Sequence, residues 1–571
     1  MKDADLDALI IGAGPVGLTL GCELLAQGLS CRVIEQLDAP VVYSKAAVVH
    51  ARTMEIFEQL GLAAAALQRA KVIHGLSVYA EGKRVAHAAV DQIDSPFPHI
   101  YGISQRDTEE LLSARLAALG GAVECSLRLE SFTQDADGVS AALLRADGSR
   151  EVARARWLIG CDGAHSAVRH GLGLAFAGAP YEERVVQTDA RVCWPRHVDD
   201  DEVLVFLAPD GPIACFPFFR DGRYRVLKIY TGAAPDEEPT LETFQRMLEA
   251  QVPGVAVIDP AWIVGFHIHH RLAERYRVGR VFLAGDAAHI HSPAGGQGMN
   301  TGIQDVHNLA WKLALCARGR GRPQLLDSYE AERRPLAVEL LRGTDLMTRA
   351  IGPVVSFRNP VAVSLRNGFL ALAWSLDFVR ANLSRSLSMV ERSYRGSAIV
   401  AEHRQPLWRA RALPDPQSEL PSLAAWAAFG AGPEPGDRAP DVTFAADAEG
   451  ARRLFDALSP ARHTLLLFDG EASTEDGYRN LRDIARRARE RCGDAISSCL
   501  IVPMASAPAA AAWEGPVLCD AQQALHARYG ARAECLYLVR PDGHVAFRSQ
   551  PASADALLAY LETIFAAIPA T

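Results

Sequence analysis

The sequence predicts an α/β protein of several domains, and three observations support this prediction. The chain has 571 residues, too many for one ordinary domain, and 49% of them are hydrophobic, which is sufficient for a large core. Short apolar runs that end in glycine-containing turns recur at three distant places, as expected of buried parallel strands. Between them lie segments of alternating apolar and polar residues, which are typical of an antiparallel sheet.

The chain begins with a strand, a glycine-rich turn, a helix and a second strand, all within residues 6–35. In the turn, Gly12 allows the tight bend, Gly14 lets a pyrophosphate approach the backbone, and Gly17 lets the helix pack closely on the strand. Pro15 lies in the same turn and is assigned to the same site. The free N–H groups at the start of the helix attract a phosphate. The order of elements predicts a Rossmann-type dinucleotide-binding domain.

The second strand, residues 31–34, ends at Glu35. A carboxylate at this position accepts hydrogen bonds from the hydroxyl groups of an adenosine ribose. A 2′-phosphate would meet like charge there. The site therefore favours FAD or NAD over NADP.

Composition narrows the class of protein. The formal net charge of −9 argues against a nucleic-acid partner. The cysteines are scattered without a CxxC pair, which fits reduced thiols in a cytoplasmic protein. The chain enters its first strand without a signal peptide, and no run of about 18 apolar residues predicts a membrane span.

Two cations follow the first unit, Lys45 and Arg52. Either can neutralise a phosphate, or be an ordinary solvated charge. A helix is predicted over residues 53–60. Another begins at Gln105, whose side chain either hydrogen-bonds a flavin ribityl chain or caps the helix.

A second turn follows the apolar strand over residues 153–159. It contains Asp162 and Gly163 and continues through Ser166 to Arg169 in the pattern DGxxSxVR. Asp-Gly alone is a frequent turn. The extended pattern is far less frequent by chance and indicates a functional turn.

A third turn follows the strand that begins after Gly279. It contains Gly285 and Asp286, and a glycine-rich loop leads to a helix predicted to open near Gly302. Asp286 is placed to accept hydrogen bonds from a polyol. The helix N-terminus carries unpaired N–H groups, which suit the anionic edge of a reduced flavin.

Alternating strands over residues 202–230, and a further strand over 262–269, predict an antiparallel sheet that covers a substrate. The candidate substrate contacts on these strands are Phe206, Cys215, Pro217 and His267. No metal site is predicted, because His267 and His269 have no acidic or cysteine ligands nearby in the sequence.

Three features together resemble the single-component FAD-dependent aromatic hydroxylases. They are the glycine fingerprint with Glu35, the DGxxSxVR turn and the sequence Gly-Asp-Ala-Ala-His over residues 285–289. These proteins have the p-hydroxybenzoate hydroxylase fold, and the resemblance is to the phenol hydroxylase and polyketide hydroxylase branch. It implies an α/β fold with a Rossmann-type FAD-binding domain, an interleaved antiparallel-sheet substrate domain, a helical cap and a C-terminal thioredoxin-like domain.

On this resemblance, residues 1–340 form the FAD-binding domain, with the substrate sheet inserted at roughly 70–105 and 175–275. Residues 341–428 form a helical region that caps the flavin domain, contributes to a dimer, or only packs internally. Residues 438–571 form the thioredoxin-like domain. Since it lacks CxxC, it has no dithiol chemistry, and its role is structural or a homodimer contact.

The resemblance also implies the reaction. NADH or NADPH reduces FAD, O₂ adds to the flavin C4a carbon, and the hydroperoxide hydroxylates a phenolic or polyketide ring. Asp162 and Gly163 are expected to lie near both cofactors. Lys45 occupies a position at which relatives usually have arginine. Pro293 shapes the flavin floor. Backbone groups of the adjoining loop face the flavin pyrimidine edge, at Gly296, Gly298, Met299 and Asn300.

Other functions remain open at this point. The same flavin supports Baeyer–Villiger oxygen insertion, epoxidation or inactivation of an antibiotic. A flavoprotein that only sequesters its ligand, and a nicotinamide-linked dehydrogenase, share parts of the pattern. The residues do not identify a general base.

Overall fold

The computed structural model describes residues 6–39, 46–90, 93–195, 198–218, 222–231, 237–292, 295–355, 363, 365–368, 385–406, 421–447, 450–470, 475–506 and 508–567. Two of the predicted cofactor residues, Lys45 and Pro293, lie outside these ranges, as does part of the predicted helical region. The chain divides into two compact units. Unit 1 comprises Met1–His307 and Arg333–Val390, and unit 2 comprises Asn308–Glu332 and Glu391–Thr571.

The strands before the second unit are, in chain order, β1 (Leu6–Ile11), β2 (Cys31–Ile34), β3 (Val48–Val49), β4 (Lys71–Ile73), β5 (Gly75–Ala80), β6 (Lys83–Ala89), β7 (Ile100–Gly102), β8 (Val123–Glu124), β9 (Leu127–Gln134), β10 (Val139–Arg145), β11 (Arg150–Gly160), β12 (Phe176–Cys193), β13 (Glu202–Ala208), β14 (Gly211–Pro217), β15 (Arg223–Ile229), β16 (Ala256–Ala273), β17 (Arg277–Val278), β18 (Val281–Leu283) and β19 (His289–Ile290).

The helices over the same stretch and its continuation are α1 (Pro15–Ala26), α2 (Ala51–Gln59), α3 (Ala63–Arg69), α4 (Gln105–Ala118), α5 (Ala167–Gly171), α6 (Leu241–Glu249), α7 (Gly298–Ala317) and α8 (Asp327–Val355). The sequence placed the start of α7 near Gly302, which is one turn too late. Glycine can adopt helical backbone angles, so the helix already begins at Gly298.

The first sheet of unit 1 is parallel at its centre, where β2, β1, β11 and β18 lie side by side. The carboxyl ends of parallel strands meet at one edge of a sheet, and the three turns predicted from the sequence follow β1, β11 and β18. Backbone hydrogen bonds join them in register: the N–H of Cys161 donates to Ile11 O (2.7 Å), and that of Ala284 to Gly160 O (3.0 Å).

The second sheet has the order β19-β16-β12-β15-β14-β13-β5-β6, and its pairs are antiparallel except for β13 with β5. Helix α6 packs on one face through Phe244 and Leu248. We call this the back face and the opposite one the front face. A small sheet of β3, β7 and β4 completes the described strands of unit 1.

Unit 2 contains a mixed sheet of order β20-β27-β26-β23-β24-β25 with helices between its strands. Its elements are β20 (Ala401–Arg404), α9 (Leu423–Ala431), β21 (Thr443–Asp447), β22 (Gly450–Arg453), β23 (His463–Phe468), α10 (Glu475–Cys492), β24 (Ile496–Val502), β25 (Val517–Cys519), α11 (Ala524–Tyr529), β26 (Cys535–Val539), β27 (Val545–Gln550) and α12 (Ala554–Ile564).

A fully buried charge cluster lies inside unit 2. Arg540 donates through Nη1 to Glu332 Oε1 at 2.6 Å and also pairs with Asp542, while Lys312 Nζ lies 2.8 Å from Glu332 Oε2. Burial alone would raise the pKa of Glu332, but Arg540 and Lys312 outweigh it and lower the pKa to about 2. The cluster is therefore two cations matched by two carboxylates.

None of the helices in the described ranges combines the length and the apolar composition needed to cross a bilayer. Among the same residues, no group of three or more His, Cys, Asp or Glu side chains is placed to hold a metal ion.

Candidate active site

The glycines of the first turn differ in what surrounds them. A Cβ on Gly12, whose φ is +102°, would lie 2.4 Å from the carbonyl oxygen of Cys161, and one on Gly17 would lie 2.0 Å from the carbonyl oxygen of Gly12. A Cβ on Gly14 would meet no protein atom within 4 Å. Two of the glycines are thus required by the backbone, whereas the third leaves space that a ligand can use.

The start of α1 has the features of an anion site. Gly14 is its N-cap and Pro15 its first residue, and no side chain caps the turn. Glu35 lies beside it, since its Oε2 accepts the N–H of Ala13 at 3.0 Å and its Oε1 accepts the N–H of Leu37 at 3.1 Å. The carboxylate predicted to bind a ribose is therefore held next to the predicted phosphate turn.

In the second turn, Asp162 accepts the N–H of Val168 through Oδ2 at 3.2 Å. Its other oxygen, Oδ1, is buried and has no hydrogen-bond partner within the described part of the chain. Burial raises the pKa of this carboxyl group above its ordinary value. Gly163 follows with a φ of +76° and with open space where a Cβ would be.

Arg169, quoted in the second motif without an assigned role, joins the second turn to the third. The buried guanidinium donates to the carbonyl oxygens of Ala287 (2.9 Å) and Ala164 (2.8 Å), and it lies 3.8 Å from the ring centre of Phe176. Its position within the DGxxSxVR pattern was the available signal.

The first and third turns are in direct contact. A Cβ on Gly285, whose φ is +60°, would lie 2.9 Å from Cγ2 of Val16. A Cβ on Gly302 would lie 2.6 Å from the same methyl group and 3.0 Å from Cα of Gly285. The structure therefore brings all three predicted turns together.

Two polar features of the third turn have no hydrogen-bond partner among the described residues. Asp286 is exposed and forms no hydrogen bond with the described residues. The first turn of α7 begins at Gly298, and within the described structure no acceptor pairs with the N–H groups of Gly298, Met299 and Asn300. A carboxylate and a set of free amides thus lie at the two ends of one loop.

The side chain of Asn300 holds the loop in place. It accepts the N–H of His50 (3.0 Å) and donates to the carbonyl oxygens of Val48 (3.0 Å) and Gly296 (2.9 Å). Gly296 has a φ of +63°, and a Cβ there would lie 2.4 Å from Val48. The side chain of Asn300 is therefore occupied by protein partners, and contact of its backbone with the flavin stays a prediction.

His50 is a further fixed point of this loop that the sequence analysis missed. Its Nε2 lies 3.0 Å from Gly295 O, so this nitrogen carries the proton. Burial lowers the pKa of His50 to about 4, against smaller raising effects of nearby backbone groups. The imidazole is therefore neutral at pH 7.

We expect His50 to make the protein acid-sensitive. Between pH 6.5 and pH 4 the unfolded chain takes up a proton that the folded chain does not, so stability falls as the pH falls, by about 3 kcal/mol in all. His50→Gln keeps a donor for Gly295 O and should lose this contribution. Urea unfolding of both proteins at pH 7 and pH 4.5 measures it. An identical pH dependence would contradict the assignment.

Asp305 is a second hub that the sequence analysis missed. The fully buried carboxylate accepts the N–H of Gly285 (3.1 Å), contacts Nε2 of His289 (2.8 Å) and pairs with Nε of Arg333 (2.8 Å). Burial raises its pKa, but His289 and Arg333 outweigh that effect and lower it overall. Asp305 thus fixes the third turn against α7.

Two predicted cofactor residues have partners within unit 1. Arg52 is 3% exposed and forms an ion pair with Glu55 on the same helix at 2.8 Å, so it is not a solvated charge. Gln105 accepts the N–H of Ala46 and donates to Glu109, while Ser104 caps α4. The capping role left open for Gln105 therefore belongs to its neighbour. Contact of either residue with a cofactor stays a prediction.

The predicted substrate contacts lie on the back face of the second sheet, which helix α6 covers. Phe206 and Cys215 are buried in the core that includes α6, on the back face. His267 is exposed and opposes Arg184. The neighbouring pair, Val185–Phe266, faces the front, and adjacent residues of a strand face opposite sides, so His267 lies on the back face as well. Pro217 is buried, and its carbonyl packs against Gly102. Strand alternation alone did not show which face α6 covers.

The front face has a different character. The row Val205, Ala214, Leu227 and Val264 crosses the sheet, and each of these apolar residues is only partly buried. Val205 packs with Val48 and Ala51, the elements that hold the glycine-rich loop. The face next to the loop is therefore an apolar wall that protein atoms do not fully cover.

Comparison with known proteins decides the family. Residues 5–344 match a family model described as FAD binding domain, and residues 432–567 match one described as aromatic-ring hydroxylase, C-terminal. The chain belongs to the FAD-dependent aromatic hydroxylases. The predicted fold class and FAD as the cofactor are thereby confirmed, and this aromatic hydroxylase is a flavin-dependent monooxygenase.

Full-length relatives agree with this membership. The hydroxylase is 33% identical over 565 residues to 6-methylpretetramide 4-monooxygenase of Streptomyces rimosus, covering 97% of this chain and 93% of that protein. It is 32% identical to pentachlorophenol 4-monooxygenase of Sphingobium chlorophenolicum, covering 99% and 97%. The solved structure of the anhydrotetracycline hydroxylase OxyS from Streptomyces rimosus is 30% identical, with a TM-score of 0.71 and coverage of 98% and 99%.

Proposed function

We propose that this aromatic hydroxylase binds FAD where the three turns meet and uses NADH or NADPH and O₂ to hydroxylate a phenolic or polyketide ring. The observation that carries the proposal is the contact of Val16 with both Gly285 and Gly302. This contact brings the predicted phosphate turn against the third turn and α7, so that one dinucleotide can contact both.

The residues present fit FAD. Glu35 would bind the adenosine ribose, the open space at Gly14 and the start of α1 would take the pyrophosphate, and Asp286 would bind the ribityl hydroxyls. The free amides at the start of α7 would face the pyrimidine edge and favour negative charge on it. When bound, FAD supplies the transfer of two electrons from NAD(P)H and the activation of O₂.

The rest of the task falls to the protein. The front face must hold a flat ring next to the loop and exclude water, and its row of partly exposed apolar side chains suits an aromatic ligand. The assignment of the substrate wall therefore moves from Phe206 and Cys215 to Val205, Leu227 and their row. The orphaned Oδ1 of Asp162 lies in the turn proposed to serve both cofactors.

The test uses the purified full chain. We expect a yellow protein with absorbance at roughly 450 nm, and NAD(P)H-dependent O₂ uptake with 1-naphthol or anhydrotetracycline that yields a product one oxygen atom heavier. A colourless protein that does not take up added FAD would overturn the proposal. NAD(P)H oxidation without an oxygenated product would limit it to an oxidase, and a ring-expanded ester would indicate Baeyer–Villiger insertion instead.

A further inference from the structure

The row of residues that crosses the front face contains one polar member. In β12, Gln187 opposes Leu227 of β15 and Val264 of β16. Leu227 in turn opposes Ala214, and Ala214 opposes Val205. Residues that oppose one another across a sheet share a face. Gln187 therefore lies in the middle of the apolar wall assigned to the substrate.

The side-chain amide of Gln187 has no hydrogen-bond partner among the residues that the structure describes. The residue is 2% exposed, and its amide forms no hydrogen bond with any residue of the described structure. A buried amide normally has partners, because leaving it unpaired costs free energy. Leucine would fill the same space without that cost. A glutamine at this position is explained if a ligand pairs with it.

Charges near Gln187 limit what that ligand is. Two residues further along β12, on the same face, Asp189 opposes Arg225 of β15. Both side chains are buried and form a two-pronged ion pair, in which Arg225 Nη2 lies 3.0 Å from Asp189 Oδ2. Trp262 lies on the guanidinium at 4.8 Å from its ring centre. Because the cation is matched by its own carboxylate, this part of the wall does not favour a ligand carboxylate.

We propose that Gln187 recognises the substrate, with its amide hydrogen-bonded to a ring oxygen of an uncharged phenol or ring ketone. The amide both donates and accepts, so it can pair with a hydroxyl group or a carbonyl oxygen. Gln187 is then a specificity-determining residue of the aromatic site. The proposal rests on the proposed function, since it requires the ring to lie on the front face.

The test compares 1-naphthol with 1-methylnaphthalene, which has the same shape without the oxygen. Binding to the FAD-loaded enzyme is followed by perturbation of the flavin spectrum. We expect the wild type to bind 1-naphthol about tenfold more tightly, which is the effect of one hydrogen bond. Gln187→Leu should bind both ligands equally. A wild type without this preference, or Q187L that keeps it, would overturn the proposal.

Thr188→Val is the matched control. Thr188 is the next residue on the strand, faces the other side of the sheet, and donates to the carbonyl oxygen of Trp262 at 2.6 Å. T188V should keep the preference for 1-naphthol, so its loss in T188V would show that any change in β12 has this effect and would overturn the proposal.

Stability separates recognition from packing. Q187L should keep the FAD content of the wild type and melt no lower than the wild type, because leucine removes no hydrogen bond within the described structure. A purely structural glutamine predicts a lower melting temperature with unchanged discrimination, which would overturn the proposal. Failure of the wild type to bind FAD or to hydroxylate would remove the proposed function itself, whereas an active wild type with an indifferent Q187L removes only the role of Gln187.

Discussion

Replacing Gly14 by alanine is expected to leave the apoprotein folded and to weaken FAD binding by about 10- to 100-fold, the cost of forcing a methyl group into a packed contact. The methyl group would meet no protein atom within 4 Å, so the only neighbour that it can displace is the ligand. Fluorescence titration with FAD and thermal melting of the apoprotein measure the two effects separately.

Gly17→Ala is the informative counterpart. Its methyl group would lie 2.0 Å from the carbonyl oxygen of Gly12, which is backbone and cannot rotate away. We therefore expect both the apoprotein melting temperature and FAD affinity to fall. Gly343→Ala, which has open space on α8, controls for the substitution itself. Wild-type FAD affinity in G14A would refute the assignment of this turn to the pyrophosphate.

Arg540→Met is expected to destabilise unit 2 by about 3–5 kcal/mol, because it leaves buried carboxylates with too few cations. Glu332 and Asp542 are within 1% of full burial, and both would lose the guanidinium group that pairs with them, while Lys312 stays paired with Glu332. Apparent unfolding free energies from urea melts measure the loss. Arg150→Met, which removes an exposed arginine from its pair with Glu130, should cost far less, because solvent screens an exposed ion pair. Equal losses in the two variants would contradict the argument.

The same cluster has a defined pH dependence. The folded-state pKa of Glu332, about 2, lies below its ordinary value, so its contribution to stability is present above that ordinary value and is lost as the pH falls toward 2. The acid limb of the wild-type unfolding curve should therefore be shallower in R540M, in which the carboxylate has already lost its main partner.

The three turns could be predicted because each is local: a strand, its glycines and its carboxylate lie within a few residues of one another. The residues that bind the turns together were not visible in the same way. Asp305, His50 and Arg169 act on partners far along the chain, so their roles appear only once α2, α5 and α7 are placed. Arg52 was left open as a solvated charge because nothing local to it shows burial.

The substrate wall shows the limit of strand periodicity. Alternation separates Phe206 from Val205 correctly, but it does not state which of the two faces a helix covers. Helix α6 (residues 241–249) follows β13 and β14 in the chain. Its apolar side packs on the back face of the sheet and covers it. The sequence prediction chose residues on the side of the sheet that α6 covers, and the substrate wall proposed here lies on the other side of the same sheet.

The two-faced sheet also determines how the hydroxylase should be diversified. A mutagenesis library at Val205, Leu227 and Val264 would vary the chemistry offered to a bound ring while leaving the hydrophobic core beneath α6 intact. A library shifted by one residue along each strand would instead sample collapsed or aggregated variants. Alternate positions of the same strands therefore determine substrate selectivity and folding. Substitutions during evolution can change selectivity without reducing the ability of the chain to fold.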